Sequence, residues 1–193
     1  MDMLPTIRAE IIECISLRQA LLADQMLLEQ VAGLAKQCIL SLRAGGKIIF
    51  AGNGGSFADA QHLSAEFVSR FRFDRAPLAS IALGTNNSAI SAIGNDYGFT
   101  HVFSRELEAV AKASDIFIGI STSGNSPNVL TAVQKANSLG LGIACLTGRS
   151  GGTLATLCNC LKMPSDDTAR IQECHITIGH ILCGLVEKRI FEE

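Results

Sequence analysis

Ile48-Ile49-Phe50-Ala51-Gly52-Asn53-Gly54-Gly55-Ser56 changes character at its midpoint: an apolar run gives way to glycines, an amide and a hydroxyl, and a helical pattern follows. A short, continuously apolar strand, a polar loop and a helix form the repeating unit of a parallel sheet covered on both faces. The unit recurs at Ile116-Phe117-Ile118-Gly119-Ile120, which leads into Ser121-Thr122-Ser123-Gly124-Asn125-Ser126. Working outward, strands are predicted at 47–51, 79–83, 115–120, 142–147 and 159–163. Helices are predicted at 57–71, 86–94, 101–112, 127–139, 152–157 and 168–191. This alternation implies an α/β fold with a mainly parallel five-stranded sheet and right-handed crossovers.

Residues 5–43 read as helical, with apolar residues recurring at Ile7, Ile11, Ile15 and again at Leu27, Val31, Leu34 and Cys38. Ala44-Gly45-Gly46 supplies the stop signal. The chain is therefore expected to be one domain, 1–193, with an N-terminal helical arm (1–45) and an α/β core (46–193). The arm cannot bury its apolar stripe alone, so it packs on the domain or on another subunit.

Of the 193 residues, 48% are hydrophobic and 18% charged, with a net charge of −2 and no basic run, which argues against nucleic acid or an anionic membrane as partner. No apolar run approaches a membrane span, and Met1–Pro5 does not read as a signal peptide. Seven scattered cysteines (Cys14, Cys38, Cys145, Cys158, Cys160, Cys174, Cys183) read as reduced core thiols rather than a disulfide framework.

In parallel sheets ligands sit at the carboxyl ends of the strands, where the polar segments 52–56, 84–88, 121–126 and 148–152 fall. Gly52–Ser56 is not a dinucleotide fingerprint, which needs glycine where Phe57 stands, nor a P-loop. Ser56 there reads either as the N-cap of a plain turn or as part of a ligand loop. In the second loop Ser126 suits an N-cap and Pro127 the first helical position. A cap needs one hydroxyl. Ser121, Thr122, Ser123 and Ser126 supply four around a helix start, which suits a phosphate. His62 and Glu66, four apart on the helix after the first loop, share a face, a spacing that a surface pair also has. His180 lies among Ile176, Ile178, Ile181 and Leu182, where a core histidine would also lie.

Five motifs together resemble the sugar isomerase (SIS) family: Gly52–Ser56, Asp59-Ala60-Gln61-His62, Ala92-Ile93-Gly94-Asn95-Asp96-Tyr97-Gly98, Ser121–Ser126 and Arg170-Ile171-Gln172-Glu173. Asn95-Asp96, with His62/Glu66 and Gln172/His180, narrows the resemblance to its phosphoheptose isomerase branch. It implies a three-layer α/β/α SIS-type fold. It also implies aldose–ketose isomerisation of sedoheptulose 7-phosphate through an enediol, serving heptose synthesis for lipopolysaccharide core or capsule.

By the same resemblance Glu66 and His180 are the acid–base pair. Glu66 is assigned to the carbon-bound proton and His180 to ring opening or oxygen proton transfer, with the reverse assignment open. Substrate contacts fall to Asn53, Gly54, Gly55, Ser56, Glu66, Asn95, Asp96, Ser121, Thr122, Ser123, Ser126 and Gln172. Some members bind zinc, here implying one Zn2+ per subunit on His62, Glu66, Gln172 and His180. Gln172 and His180 are eight residues apart, about 12 Å along a continuous helix. Sharing one ion then needs a distorted helix start or a ligand from a neighbouring subunit. The resemblance further implies a cytoplasmic homotetramer with sites at subunit interfaces, whose partner is the phosphorylated sugar rather than nucleic acid or membrane. A second reading is a non-catalytic SIS-fold adaptor that binds the bacterial replication initiator through an apolar pair placed like Ile190-Phe191. The presence of both Glu66 and His180 favours the enzyme.

Overall fold

The structure, a computed structural model, describes residues 2–192. Its elements are α1 (Leu4–Ala23), α2 (Gln25–Arg43), β1 (Ile48–Gly52), α3 (Gly55–Val68), β2 (Ser80–Ala82), α4 (Asn87–Tyr97), α5 (Val102–Val110), β3 (Ile116–Ser121), α6 (Pro127–Ser138), β4 (Gly142–Thr147), β5 (Asn159–Lys162) and α7 (Thr168–Phe191). Single 3-10 turns at Phe99–His101 and Thr153–Thr156 precede α5 and β5.

The five strands pair in parallel in the order β2-β1-β3-β4-β5. Successive strand residues face opposite layers. Ile48, Phe50, Ile116, Ile118, Ile120 and Leu146 join the core beneath α2, α3 and α7. Ile49, Ala51, Phe117, Cys145 and Cys160 join the core beneath α5 and α6. β1 and β3 are buried along their whole length on both faces, so they carry no polar alternation. At the amino edge Asp115, 1% exposed, accepts from the Lys47 and Lys112 backbone N–H groups at 2.9 and 2.7 Å and pins β1 beside β3.

Several helix boundaries depart from the sequence expectation: α3 stops at Val68 rather than 71, α4 runs on to Tyr97 rather than 94, and three further departures have a visible local cause. The helical arm breaks at Asp24, whose carboxylate accepts from the Leu27 N–H at 3.0 Å and starts α2 afresh. Residues 152–157 form only a 3-10 turn, because Gly151 and Gly152 take φ of 74° and 53° and the Leu154 N–H is drawn to Gly124 O. Helix α3 begins at Gly55 rather than 57, so Ser56 lies inside its first turn, 3% exposed, and is not the N-cap.

The order places β1 between β2 and β3, and the chain leaves the two central strands on opposite sides. From β1 it enters α3, in the layer with α2 and α7; from β3 it enters α6, in the layer with α5. A crevice therefore opens between the carboxyl ends of β1 and β3, flanked by the two polar loops.

Candidate active site

The two helices that start at this crevice lack side-chain caps. The N-cap of α3 is Gly54, in a left-handed conformation (φ 55°) that glycine tolerates. The N-cap of α6 is Ser126, whose hydroxyl lies 2.9 Å from Ser121 Oγ and makes no bond to its own helix. By contrast α2, α4 and α7 are closed by Asp24, Asn86 and Asp167, each accepting from a first-turn N–H. Inside the first turn of α6 Asn128 Oδ1 accepts from the Val129 N–H at 3.0 Å, and the backbone donors that remain, with the positive helix ends, are of the kind an anion favours.

The loops are braced from behind. Asn53 and the buried Asn128 exchange two amide hydrogen bonds of 2.8 Å, joining the first loop to the start of α6 across the crevice. Asn125 accepts from both Thr153 N and Thr153 Oγ1 at 2.9 Å, and Ser123 Oγ accepts from Asn125 N at 3.1 Å. Gly124 (φ 66°) leaves no room for a side chain against the Gly151 carbonyl. Of the expected contacts, Thr122 is half-buried and Ser123 exposed at the mouth. Asn128 was not foreseen; its trace in the sequence is an amide at an inward position of α6, just ahead of Val129, Ala132 and Val133.

The second cluster lies where α3 packs on α7. His62, Glu66 and His180 each offer a ligand atom, all within 4.8 Å of one another. His62 Nε2 is 2.9 Å from His180 Nε2 and 3.4 Å from Glu66 Oε1. Gly179 makes the approach possible: a Cβ there would stand 2.6 Å from the Leu63 side chain. The helices run side by side in the same direction, Gly55 beside Gln172 and Leu63 beside Gly179. Two imidazole nitrogens and a carboxylate oxygen are a donor set of the kind zinc takes. Phe71 stacks on the His180 ring at 5.5 Å between centroids and 29° between planes.

Gln172 does not join this cluster within one protomer. Helix α7 is unbroken from Thr168, and the Gln172 amide abuts Gly55 at the start of α3. A distorted helix start is thereby removed as a route to a shared ion. Asn95 and Asp96 lie exposed in the last turn of α4, where Asn95 donates to Asp96 at 2.8 Å; among the described residues no hydrogen bond joins them to either loop. Helix α4 still borders the first loop, because Ile90 lines a cavity of about 140 Å³ with Gly52, Asn53, Gly54 and Phe57. Arg149 is engaged with Asp166 and Pro164 O, and Arg170 with Glu10 and Glu173.

Nearby titrating groups are tuned mainly by burial. Burial raises the Asp59 carboxyl, one turn before His62, and His62 partly opposes the shift. Burial likewise raises Glu106, opposed by the Gly84 N–H that donates to it at 2.6 Å. His175 is pushed down to about 4 by burial, against the pull of its 3.2 Å bond to Thr147 O. It is a neutral core residue beneath the carboxyl end of β4. Ile190 packs on the core, and Phe191, still 38% exposed, meets Phe73 edge to face at 6.4 Å.

Among the described residues no helix is long and apolar enough to cross a membrane. The SIS domain family model matches residues 15–148. A phosphoheptose isomerase of Aneurinibacillus thermoaerophilus is 52% identical over 186 residues, covering 96% of this chain and 94% of that one. The solved phosphoheptose isomerase of Neisseria gonorrhoeae superposes with a TM-score of 0.87 at 41% identity, covering 96% of this chain and 99% of that one. The one from Francisella tularensis gives 0.91 at 35% identity, covering 97% and 100%. Five parallel strands between two helical layers, anion-ready loops at the β1–β3 crevice and this degree of likeness agree: the chain belongs to the SIS domain family and, within it, to the phosphoheptose isomerases.

Proposed function

We propose that the protein interconverts D-sedoheptulose 7-phosphate and D-glycero-D-manno-heptose 7-phosphate by moving a proton between C1 and C2 through an enediol. The observation that carries this reading is the meeting of Glu66 with His62 and His180 where α3 packs on α7. Glu66 takes the carbon-bound proton, and His180 serves the ring and carbonyl oxygens. Each positioned group contributes about 10²–10⁴ in rate. Ser121, Thr122, Ser123 and Ser126, with the open start of α6, hold the phosphate. Asn53, Gly54, Gly55, Ser56, Asn95, Asp96 and Gln172 face the sugar. Asp96 belongs at that end because a carboxylate repels phosphate.

His62, Glu66 and His180 hold one zinc per subunit, with Gln172 supplied by a neighbouring copy. A zinc ion held by these residues would supply Lewis-acid polarisation of the sugar's carbonyl oxygen. A site shared between copies also suits the distances. Gly55 and Glu66 are about three helical turns apart, roughly 16 Å, a span longer than a seven-carbon sugar phosphate. The assembly is a homotetramer, and the exposed Ile7, Ile11, Ile12 and Ile15 of α1 suit contact with another copy. The enzyme works in the cytoplasm, and its product feeds lipopolysaccharide core or capsule synthesis.

The test is direct. Incubation with sedoheptulose 7-phosphate, followed by NMR, should yield the aldose 7-phosphate. Glu66→Gln should abolish turnover while substrate still binds. No conversion by the folded wild-type assembly, or full turnover in Glu66→Gln, defeats the reading.

A further inference from the structure

One buried ion pair stands apart from the substrate loops. Arg75 and Glu187 meet at 2.9 Å with side chains only 2% and 1% exposed. Each makes several further bonds, and all of them bear on the ground around the His62–Glu66–His180 cluster. The Arg75 guanidinium donates to the main-chain oxygens of Glu66 (2.8 Å), Phe67 (2.7 Å) and Ser69 (3.0 Å), at and just beyond the end of α3, where Phe67 O also accepts from the Leu78 N–H at 3.0 Å. It therefore grips the backbone of Glu66 itself. Glu187 accepts from the backbone N–H groups of Phe71 and Arg72, both at 2.9 Å.

The segment between Ser69 and Ala76 is thus strapped across one stripe of α7. His180, Gly184 and Glu187 lie at successive turns on that stripe. Phe71 stacks on the His180 ring and rests on Gly184, where a Cβ would come within 3.3 Å of the Phe71 ring. The Arg72 guanidinium lies 5.4 Å from the centre of the Phe71 ring. One end of the strap is fastened to the turn that carries Glu66, and its middle presses on His180.

We propose that Arg75, Glu187 and Phe71 are positioning residues for the isomerisation: the buried pair fixes the strap, and the strap holds His180 opposite Glu66. None of the three touches the sugar. A buried ion pair is weak evidence for stability alone, since an apolar replacement often serves as well, so its value here lies in the geometry it specifies. The proposal rests on the acid–base reading of Glu66 and His180.

The experiment compares steady-state kinetics of wild type, Phe71→Leu, Arg75→Lys and Glu66→Gln on sedoheptulose 7-phosphate, corrected for folded protein by circular dichroism. Phe71→Leu removes the ring but keeps the backbone N–H that Glu187 binds. Arg75→Lys keeps the charge but loses the fork. Both should keep KM within about twofold and lose roughly tenfold to a hundredfold in kcat, the signature of misplaced groups rather than weakened binding. Wild-type kcat in Phe71→Leu, or a loss that falls on KM alone, overturns the proposal. This holds even if Arg75→Lys fails to fold, because Phe71→Leu then decides. Turnover lost in Glu66→Gln but intact in Phe71→Leu leaves the acid–base reading standing without the strap. Turnover intact in Glu66→Gln removes both.

Discussion

At the scale of single residues, chemistry was easier to see in the sequence than partnership. Glu66 and His180 stood out by type and by motif. Arg75 and Glu187 did not, because a charged side chain reads as surface until its partner is known, and theirs are 112 positions apart. Asn128 was hidden for the same reason, its amide partner being 75 positions away. His175 shows what a residue can do for stability without touching the reaction. Its folded-state pKa lies near 4, against 6.5 for an unhindered histidine. Above pH 6.5 both folded and unfolded chains hold it neutral. As pH falls from 6.5 toward 4, the unfolded chain takes up a proton that the folded one refuses, so stability drops across that window. His175→Gln should therefore flatten the decline in melting temperature between pH 7 and pH 4.5. Calorimetric scans of the two proteins across that range check it; parallel declines would show that other groups carry the acid sensitivity.

At the scale of elements, the inner strands were legible because burial on both faces leaves them largely apolar, and all five strands fall within a residue or so of expectation. The misplaced boundaries sit where a tertiary contact or one capping bond outweighs periodicity. The break at Asp24 interrupts helical spacing that looks continuous, and the 3-10 turn at Thr153–Thr156 is drawn into place by Gly124 and Asn125. The packing of α3 on α7 was invisible in the sequence, although it creates the cluster of ligating groups. It turns on Gly179, and Gly179→Ala tests it. The added methyl meets Leu63 at 2.6 Å, so the helices must part or Leu63 must move. Overpacking of this kind costs about 1–3 kcal/mol. We expect a lower melting temperature together with a loss of kcat that exceeds what the folded fraction explains. A variant with normal kcat would mean that the cluster tolerates a wider helix spacing.

For the molecule as a whole, the exposed apolar face of α1 is the feature that one chain leaves unresolved. Ile11 and Ile15 are 54% and 52% exposed, one turn apart, in a helix whose only buried residue is Leu21. If that face meets another copy, Ile11→Asp with Ile15→Asp should yield smaller species by light scattering and lose turnover along with assembly. Unchanged mass would place the contact elsewhere. The open starts of α3 and α6 carry a consequence for the fold itself. A glycine N-cap such as Gly54 forgoes only about a few tenths of a kcal/mol against a side-chain cap, and in α6 the first-turn Val129 N–H is already taken by Asn128 Oδ1 at 3.0 Å. The first-turn donors that remain at the crevice leave the empty protein slightly below the stability its secondary structure could reach. A bound phosphate returns part of that deficit, and by mass action it favours the folded chain in proportion to the logarithm of ligand concentration. The sugar phosphate then serves as a structural component as well as a reactant. A cell rich in it would keep this protein longer, through slower opening and slower degradation, with no change in synthesis.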